Sequence, residues 1–164
     1  MRVDQIRLRL RAHGAKPCHE QRILRAWAQG VSVDTRYRKA EDFLPLGVRA
    51  ALPVLTADLS ALACLQGEYP GQDGSARLLV KLADGQTVES VLLPRDGLCV
   101  STQVGCAVGC VFCMTGRDGL QRQLGSGEIV AQVVLARTRR AVKRVVFMGM
   151  GEPAHNLENV LEAI

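Results

Sequence analysis

The chain has 164 residues, 48% of them hydrophobic and 23% charged, a balance that supports a packed core and excludes wholesale disorder. Its formal charge of +5 is unevenly spread: residues 1–40 carry ten Lys or Arg against three Asp or Glu, the remainder eleven against thirteen. A basic front points to a polyanionic partner such as RNA, with a solvated basic surface as the alternative. Arg7, Arg9 and Arg11 interrupt the N-terminal apolar residues, and Arg49 and Asp58 the most apolar region. Neither a secretory leader nor a membrane span is therefore expected, and the expected compartment is the cytoplasm. There the six cysteines read as ligands, catalysts or buried thiols rather than disulfides.

In chain order, Ile6 and Leu10 predict a first helix. Ile23, Leu24 and Trp27 predict a second over 21–29, stopped by Gly30. Trp27 reads as a core anchor rather than a stacking platform. Residues 42–51 and 56–65 read as two short helices separated by Pro45 and Pro53, and Cys64, in an apolar run, as a buried thiol. From Tyr69 the texture changes. Two β-prone runs, 76–82 and 86–93, flank Asp84-Gly85 and predict a hairpin. A strand is expected over 98–104, a helix over 126–139 capped by Ser126, a strand over 144–148, and a last helix from Leu157 capped by Asn156. The expectation is an α/β chain in three parts: a small basic helical domain that docks RNA (1–68), a β-hairpin extension (69–97), and the first βαβα part of a (β/α) barrel (98–164). Two strands with their crossovers cannot close a barrel, so the chain reads as the truncated front of a longer one.

Two motifs carry chemistry. Cys106, Cys110 and Cys113 have the spacing Cys-x3-Cys-x2-Cys, with Gly105, Gly109 and Gly116 around them. Thiolates suit an iron–sulfur cluster or zinc. A closed structural zinc site needs four ligands, and no fourth Cys or His lies nearby in the sequence. Three thiolates on a four-iron cluster leave one iron open. The alternative is zinc completed by His155, Cys99 or a partner chain. One strand later comes Met148-Gly149-Met150-Gly151-Glu152-Pro153. Its glycines permit close backbone approach to a ligand, and Glu152 can accept hydrogen bonds from an amino group.

The run Leu98-Cys99-Val100-Ser101-Thr102-Gln103-Val104-Gly105-Cys106 is followed by Cys110-Val111-Phe112-Cys113-Met114-Thr115-Gly116. Then come Glu128-Ile129-Val130-Ala131-Gln132-Val133, and Phe147 to Pro153 with Asn156. Together these resemble the RlmN/Cfr family, radical S-adenosylmethionine (SAM) methyltransferases of adenine in 23S rRNA and, for RlmN, in tRNA. The likeness is dense over 98–164, looser through Val88-Glu89-Ser90-Val91, and faint at 21–30. It implies that Cys106, Cys110 and Cys113 hold a [4Fe–4S] cluster and that Gly151 and Glu152 contact SAM. It implies that Glu89, otherwise read as a solvent-facing strand carboxylate, is the proton acceptor at the adenine. It also implies that Cys99, otherwise an ordinary buried thiol, forms a transient disulfide with a cysteine beyond the chain's end. An electron donor such as a flavodoxin and methylation at adenine C2 follow from the same likeness. A Cfr-like enzyme acting at C8, or a non-catalytic RNA- and iron–sulfur-binding fragment, is the alternative. Leu120 stands where an aromatic is common, and Gln121 and Gln123 replace frequent asparagines.

Overall fold

The computed structural model describes residues 1–33 and 43–164. Ile6 and Leu10 are fully buried along one side of helix α1 (Val3–Ala12). Helix α2 (Pro17–Ala28) begins four residues before the predicted 21–29. Pro17 occupies its first turn, where a missing N–H costs nothing. Helix α3 (Leu46–Ala61) is one helix where two are predicted. Val48, Leu52, Leu55 and Leu59 form a single apolar stripe packed in the core. Pro53 lies on the exposed side, where water can take the hydrogen bond it denies to Arg49. The start of that prediction, at residue 42, lies outside the described residues, as do Arg36, Arg38 and Lys39 of the basic front.

The predicted helix over 56–65 is corrected at its end: strand β1 (Ala63–Pro70) begins there and pairs antiparallel with β2 (Ala76–Leu82). Cys64 is consequently exposed, not buried, because alternate β1 residues turn away from the helices. The hairpin of β2 with β3 (Thr87–Leu93) forms around Asp84-Gly85 as predicted. The predicted strand 98–104 is two. β4 (Gly97–Cys99) stays in the sheet beside β3, while β5 (Gln103–Gly105) leaves it to pair with β6 (Leu120–Gln123), a strand sequence patterning does not announce. Helix α4 (Ser126–Arg137) then crosses to β7 (Arg144–Val146), parallel to β4, and helix α5 (Leu157–Ala163) follows. The large sheet has the order β1-β2-β3-β4-β7, a mixed α/β arrangement with the expected strand–helix–strand–helix succession at its end.

One face of this sheet carries Leu78, Val80, Val88, Leu92 and Leu98, each almost wholly buried, and α3 and α4 lie against it at β1. A single apolar core runs from Ile6 of α1 to Val160 of α5, with Trp27 packed against it. The other face carries Tyr69, Arg77 and Val91, directly opposed across the strands, with Cys99 next in the row and Glu89 in the row beside it. Proposed functional residues and core residues thus stand on opposite faces of the same strands.

Ser126 and Asn156 do not use their side chains as caps. Glu128 reaches back to the Gly125 amide at 2.8 Å, while the Ser126 hydroxyl accepts from the Val3 amide and donates to Glu162. Glu162 also accepts from the Asp4 amide at 2.7 Å and from Arg2 at 3.0 Å, tying α5 to the start of α1. Burial acts to raise the Glu162 carboxyl, but these hydrogen bonds outweigh it and hold the group below its ordinary value of 4.5. A depressed carboxyl stabilises the fold above its unfolded value, and that contribution disappears as pH falls through the folded one. Glu162→Gln is therefore expected to lower the melting temperature at pH 7, with the gap to wild type closing as the pH drops below 4.5. A gap that persisted unchanged into acid would show that the ionised carboxylate is not what joins the two helices.

Candidate functional site

The cysteine loop is the tip of a β-hairpin. β5 and β6 pair Gln103 with Gln123 and Gly105 with Leu120, and the Cys106 amide donates to the Gly119 carbonyl at 3.1 Å. Cys106 at the neck is half-buried; Cys110 and Cys113 at the tip are exposed, beside Val111, Phe112 and Met114. The Thr115 hydroxyl, aided by the amides of Thr115 and Gly116, holds the Cys113 thiol below its ordinary value, the direction that favours a metal-binding thiolate. The three sulfurs are not gathered in this conformation. Among the described residues no three His, Cys, Asp or Glu side chains stand close enough to hold a metal ion. The donor set itself, three thiols on one hairpin, one at its neck and two at its tip, has the chemistry of an iron–sulfur ligand set.

The Gly149–Glu152 loop is laid against residues 100–103, immediately before that hairpin. Gly149 donates to the Val100 carbonyl at 3.0 Å, and Met150 to the Ser101 hydroxyl at 2.8 Å. The Thr102 amide donates back to the Met150 carbonyl at 2.8 Å, and Glu152 N–H donates to Gln103 Oε1 at 2.8 Å. Gly151 has φ +97, and a Cβ there would lie 2.5 Å from Gln103 Cβ. The close approach that the glycines permit is thus, first of all, to the neighbouring strand, a use the sequence does not reveal. Glu152 Oε1 accepts from the Ala154 amide at 3.0 Å, while Oε2 has no partner among the described residues and the side chain is half-buried. One carboxylate oxygen thus remains for the amino group of a ligand. Asn156 Nδ2 donates to the Thr102 and Leu124 carbonyls, both at 2.8 Å, so the two loops are braced together from behind.

Glu89 and Cys99 lie on the face of the sheet turned away from the core. Glu89 is paired with Arg77 at 3.0 Å, and the Arg77 guanidinium sits 5.0 Å from the centroid of the Tyr69 ring. Cys99 stands across from Val91 on one side and Val146 on the other. Burial pushes its thiol up, against a smaller opposing hydrogen bond from the Met148 backbone, so it is held as the thiol at neutral pH. All six cysteines are free thiols, so the disulfide implied by the resemblance is not present within this chain.

Sequence reasoning missed the polar hub beneath these groups. Gln132 of α4, fully buried, accepts from the Ser90 hydroxyl at 2.8 Å and the Ser101 amide at 2.9 Å, and donates to the Ser101 carbonyl at 3.0 Å. The Ser101 hydroxyl in turn donates to the Glu89 carbonyl. Such a network is costly unless every member is satisfied. A glutamine in the middle of the apolar α4 sequence was its one visible sign.

Four arginines of the basic front are already paired: Arg2 with Glu158 and Glu162, Arg7 with Asp4, Arg9 with Asp58, and Arg11 with the buried Glu20. Lys16 and Arg25 have no acidic partner among the described residues. No helix among the described residues is long and apolar enough to cross a membrane.

Residues 100–164 match the radical SAM superfamily model. The full chain is 75% identical to a probable RNA methyltransferase of Azoarcus sp. (strain BH72), covering 47% of that protein. It is 69% identical to a probable RNA methyltransferase of Pseudomonas aeruginosa (strain PAO1), covering 48%. The chain thus spans about half the length of the curated relatives it matches. Among solved structures, 99% of the chain superposes on 49% of a radical SAM methyltransferase from Sphaerobacter thermophilus, with 34% identity and a TM-score of 0.71. The three-cysteine hairpin and the braced Gly-Glu loop both lie within residues 100–164, the part that matches the radical SAM superfamily model, in a chain similar throughout its length to probable RNA methyltransferases.

Proposed function

We propose that this chain carries the cluster-binding and SAM-binding part of a cytoplasmic radical SAM methyltransferase that modifies C2 of adenine in 23S rRNA, and in tRNA as well. The observation that carries the reading is a three-thiol hairpin braced against a loop with an available Glu152 oxygen, in a chain 75% identical to a probable RNA methyltransferase. Cys106, Cys110 and Cys113, carried on the hairpin of β5 and β6, would hold the [4Fe–4S] cluster. A cluster held there would supply one-electron reduction of SAM, with a donor such as a flavodoxin as the electron source.

The chain's own residues bind and orient. Gly151 presents its backbone and Glu152 its carboxylate to the SAM methionine. Glu89, on the face opposite the core and fixed beside Arg77, takes the proton from the adenine carbon once the new bond has formed. Cys99, kept protonated by its surroundings, is the reserve thiol on the same face, and its disulfide partner would lie outside this chain. Lys16, just before α2, and Arg25 on α2 are exposed and available for phosphate contacts. The test is nucleoside analysis of 23S rRNA and tRNA after incubation of the whole enzyme with SAM and reductant. The expected product is 2-methyladenosine. 8-Methyladenosine would move the reading to the other ring position, and unmodified RNA alongside a loaded cluster would end it.

A further inference from the structure

We propose that Gln103 is the positioning residue that ties the SAM-binding loop to the cluster-binding hairpin; the inference rests on the function proposed above. Gln103 is the first residue of β5, three positions before Cys106, and is fully buried. A buried glutamine is retained at a cost unless both ends of its amide are used. Here both are used, in opposite directions. Oε1 accepts from the Glu152 amide at 2.8 Å, and Nε2 donates to Gln123 Oε1 at 2.9 Å. Gln123 is its cross-strand partner at the hairpin neck, and Gln123 Nε2 donates onward to the His155 carbonyl at 2.9 Å. The chain of amides therefore runs from the loop that carries Glu152, through the hairpin that carries the cysteines, and back to the turn behind Glu152.

The aliphatic part of the same side chain sets the distance. Gly151 lies so close to Gln103 that a Cβ would meet its Cβ at 2.5 Å and its Cγ at 2.6 Å. One side chain thus fixes both how near the Gly-Glu backbone comes to the hairpin and which way the Glu152 amide points. Both partners proposed to meet SAM, a carboxylate on one loop and an iron on the other, are held in register by Gln103. Binding in two places at once rewards this kind of preorganisation.

The test uses the full chain reconstituted anaerobically with iron and sulfide. Gln103→Met keeps the shape and removes both polar ends; Gln103→Glu keeps an acceptor for the Glu152 amide. In Gln103→Met, iron content and the visible spectrum are expected to match wild type. SAM affinity, followed through the change that SAM causes in the reduced cluster's electron paramagnetic resonance signal, is expected to fall about tenfold, as for loss of one hydrogen bond to a buried amide. Gln103→Glu is expected to recover most of that loss. Hydrogen exchange of the iron-free chain gives a reading independent of the cluster: the Glu152 amide should exchange faster in Gln103→Met than in Gln103→Glu. Wild-type SAM affinity in Gln103→Met overturns the proposal. Equal weakening in both variants, or loss of iron and SAM together, assigns Gln103 to folding alone and overturns it as well. A wild-type chain that loads iron but takes up no SAM overturns instead the functional reading on which the proposal depends.

Discussion

Replacing Cys106, Cys110 and Cys113 together by alanine is expected to abolish iron uptake, from roughly four irons per chain to background, after anaerobic reconstitution with iron and sulfide. The brown colour and its visible absorption should vanish with it. The fold should not, because Cys110 and Cys113 are exposed, Cys106 is half-buried, and none belongs to the core. Substitutions away from core contacts typically change stability by about 0.5 kcal/mol or less each, so the thermal transition should stay close to wild type. The remaining cysteines are a built-in control. Cys18 and Cys64 are exposed thiols remote in sequence from the hairpin, and replacing both should leave the iron content intact. Iron uptake that survived the triple replacement, or a wild-type protein that took up zinc and no iron, would remove the cluster from the account.

What the sequence made legible, and what it concealed, follows from which interactions are local. The Asp84-Gly85 hairpin and the β4–α4–β7 crossover were readable because turn chemistry and apolar runs declare themselves within a few residues. The residues around Cys64 were not. An apolar run has no intrinsic period, and only pairing with β2 makes 63–70 a strand. Pro53 misled in the opposite sense: a local rule separates two helices, whereas the stripe from Val48 to Leu59 buries more as one. Ser126 and Asn156 are residues of the right type at helix starts, yet partners distant in sequence, Val3 and Glu162 for one, Thr102 and Leu124 for the other, claim their side chains.

At the site, the cysteines and Gly-Glu were visible as motifs because ligand chemistry restricts residue type. The bracing by Ser101, Gln103 and Gln132 was invisible because nothing about a lone glutamine or serine states its partner. The glycines are a mixed case. Their presence signals close approach, but the sequence cannot say to what, and at Gly151 the nearest neighbour is Gln103.

Gly105 is where this matters most, and Gly105→Ala is expected to damage the hairpin more than any other single methyl. The residue has φ +74, a region that costs an L side chain about 1–2 kcal/mol. Added to this, a Cβ would stand 2.0 Å from the Gly119 carbonyl oxygen, which is the acceptor for the Cys106 amide. That oxygen belongs to backbone and cannot swing aside as a flexible side chain would. The neck must open, at the cost of the Cys106–Gly119 hydrogen bond and of the pairing of Gly105 with Leu120. Together these amount to about 3 kcal/mol, or a drop of roughly 6–12 °C in melting temperature for a chain of this size. Gly109→Ala separates the two causes. Gly109 also has positive φ, at +65, but a Cβ there meets nothing within 4 Å. It should lose only the conformational share, about 1 kcal/mol. Circular dichroism melts of the two variants give the stability order, and iron content after reconstitution gives the consequence: Gly105→Ala should load poorly, because the neck aims Cys106. Equal melting temperatures for the two variants would mean that the neck is not what holds the cysteine hairpin in place.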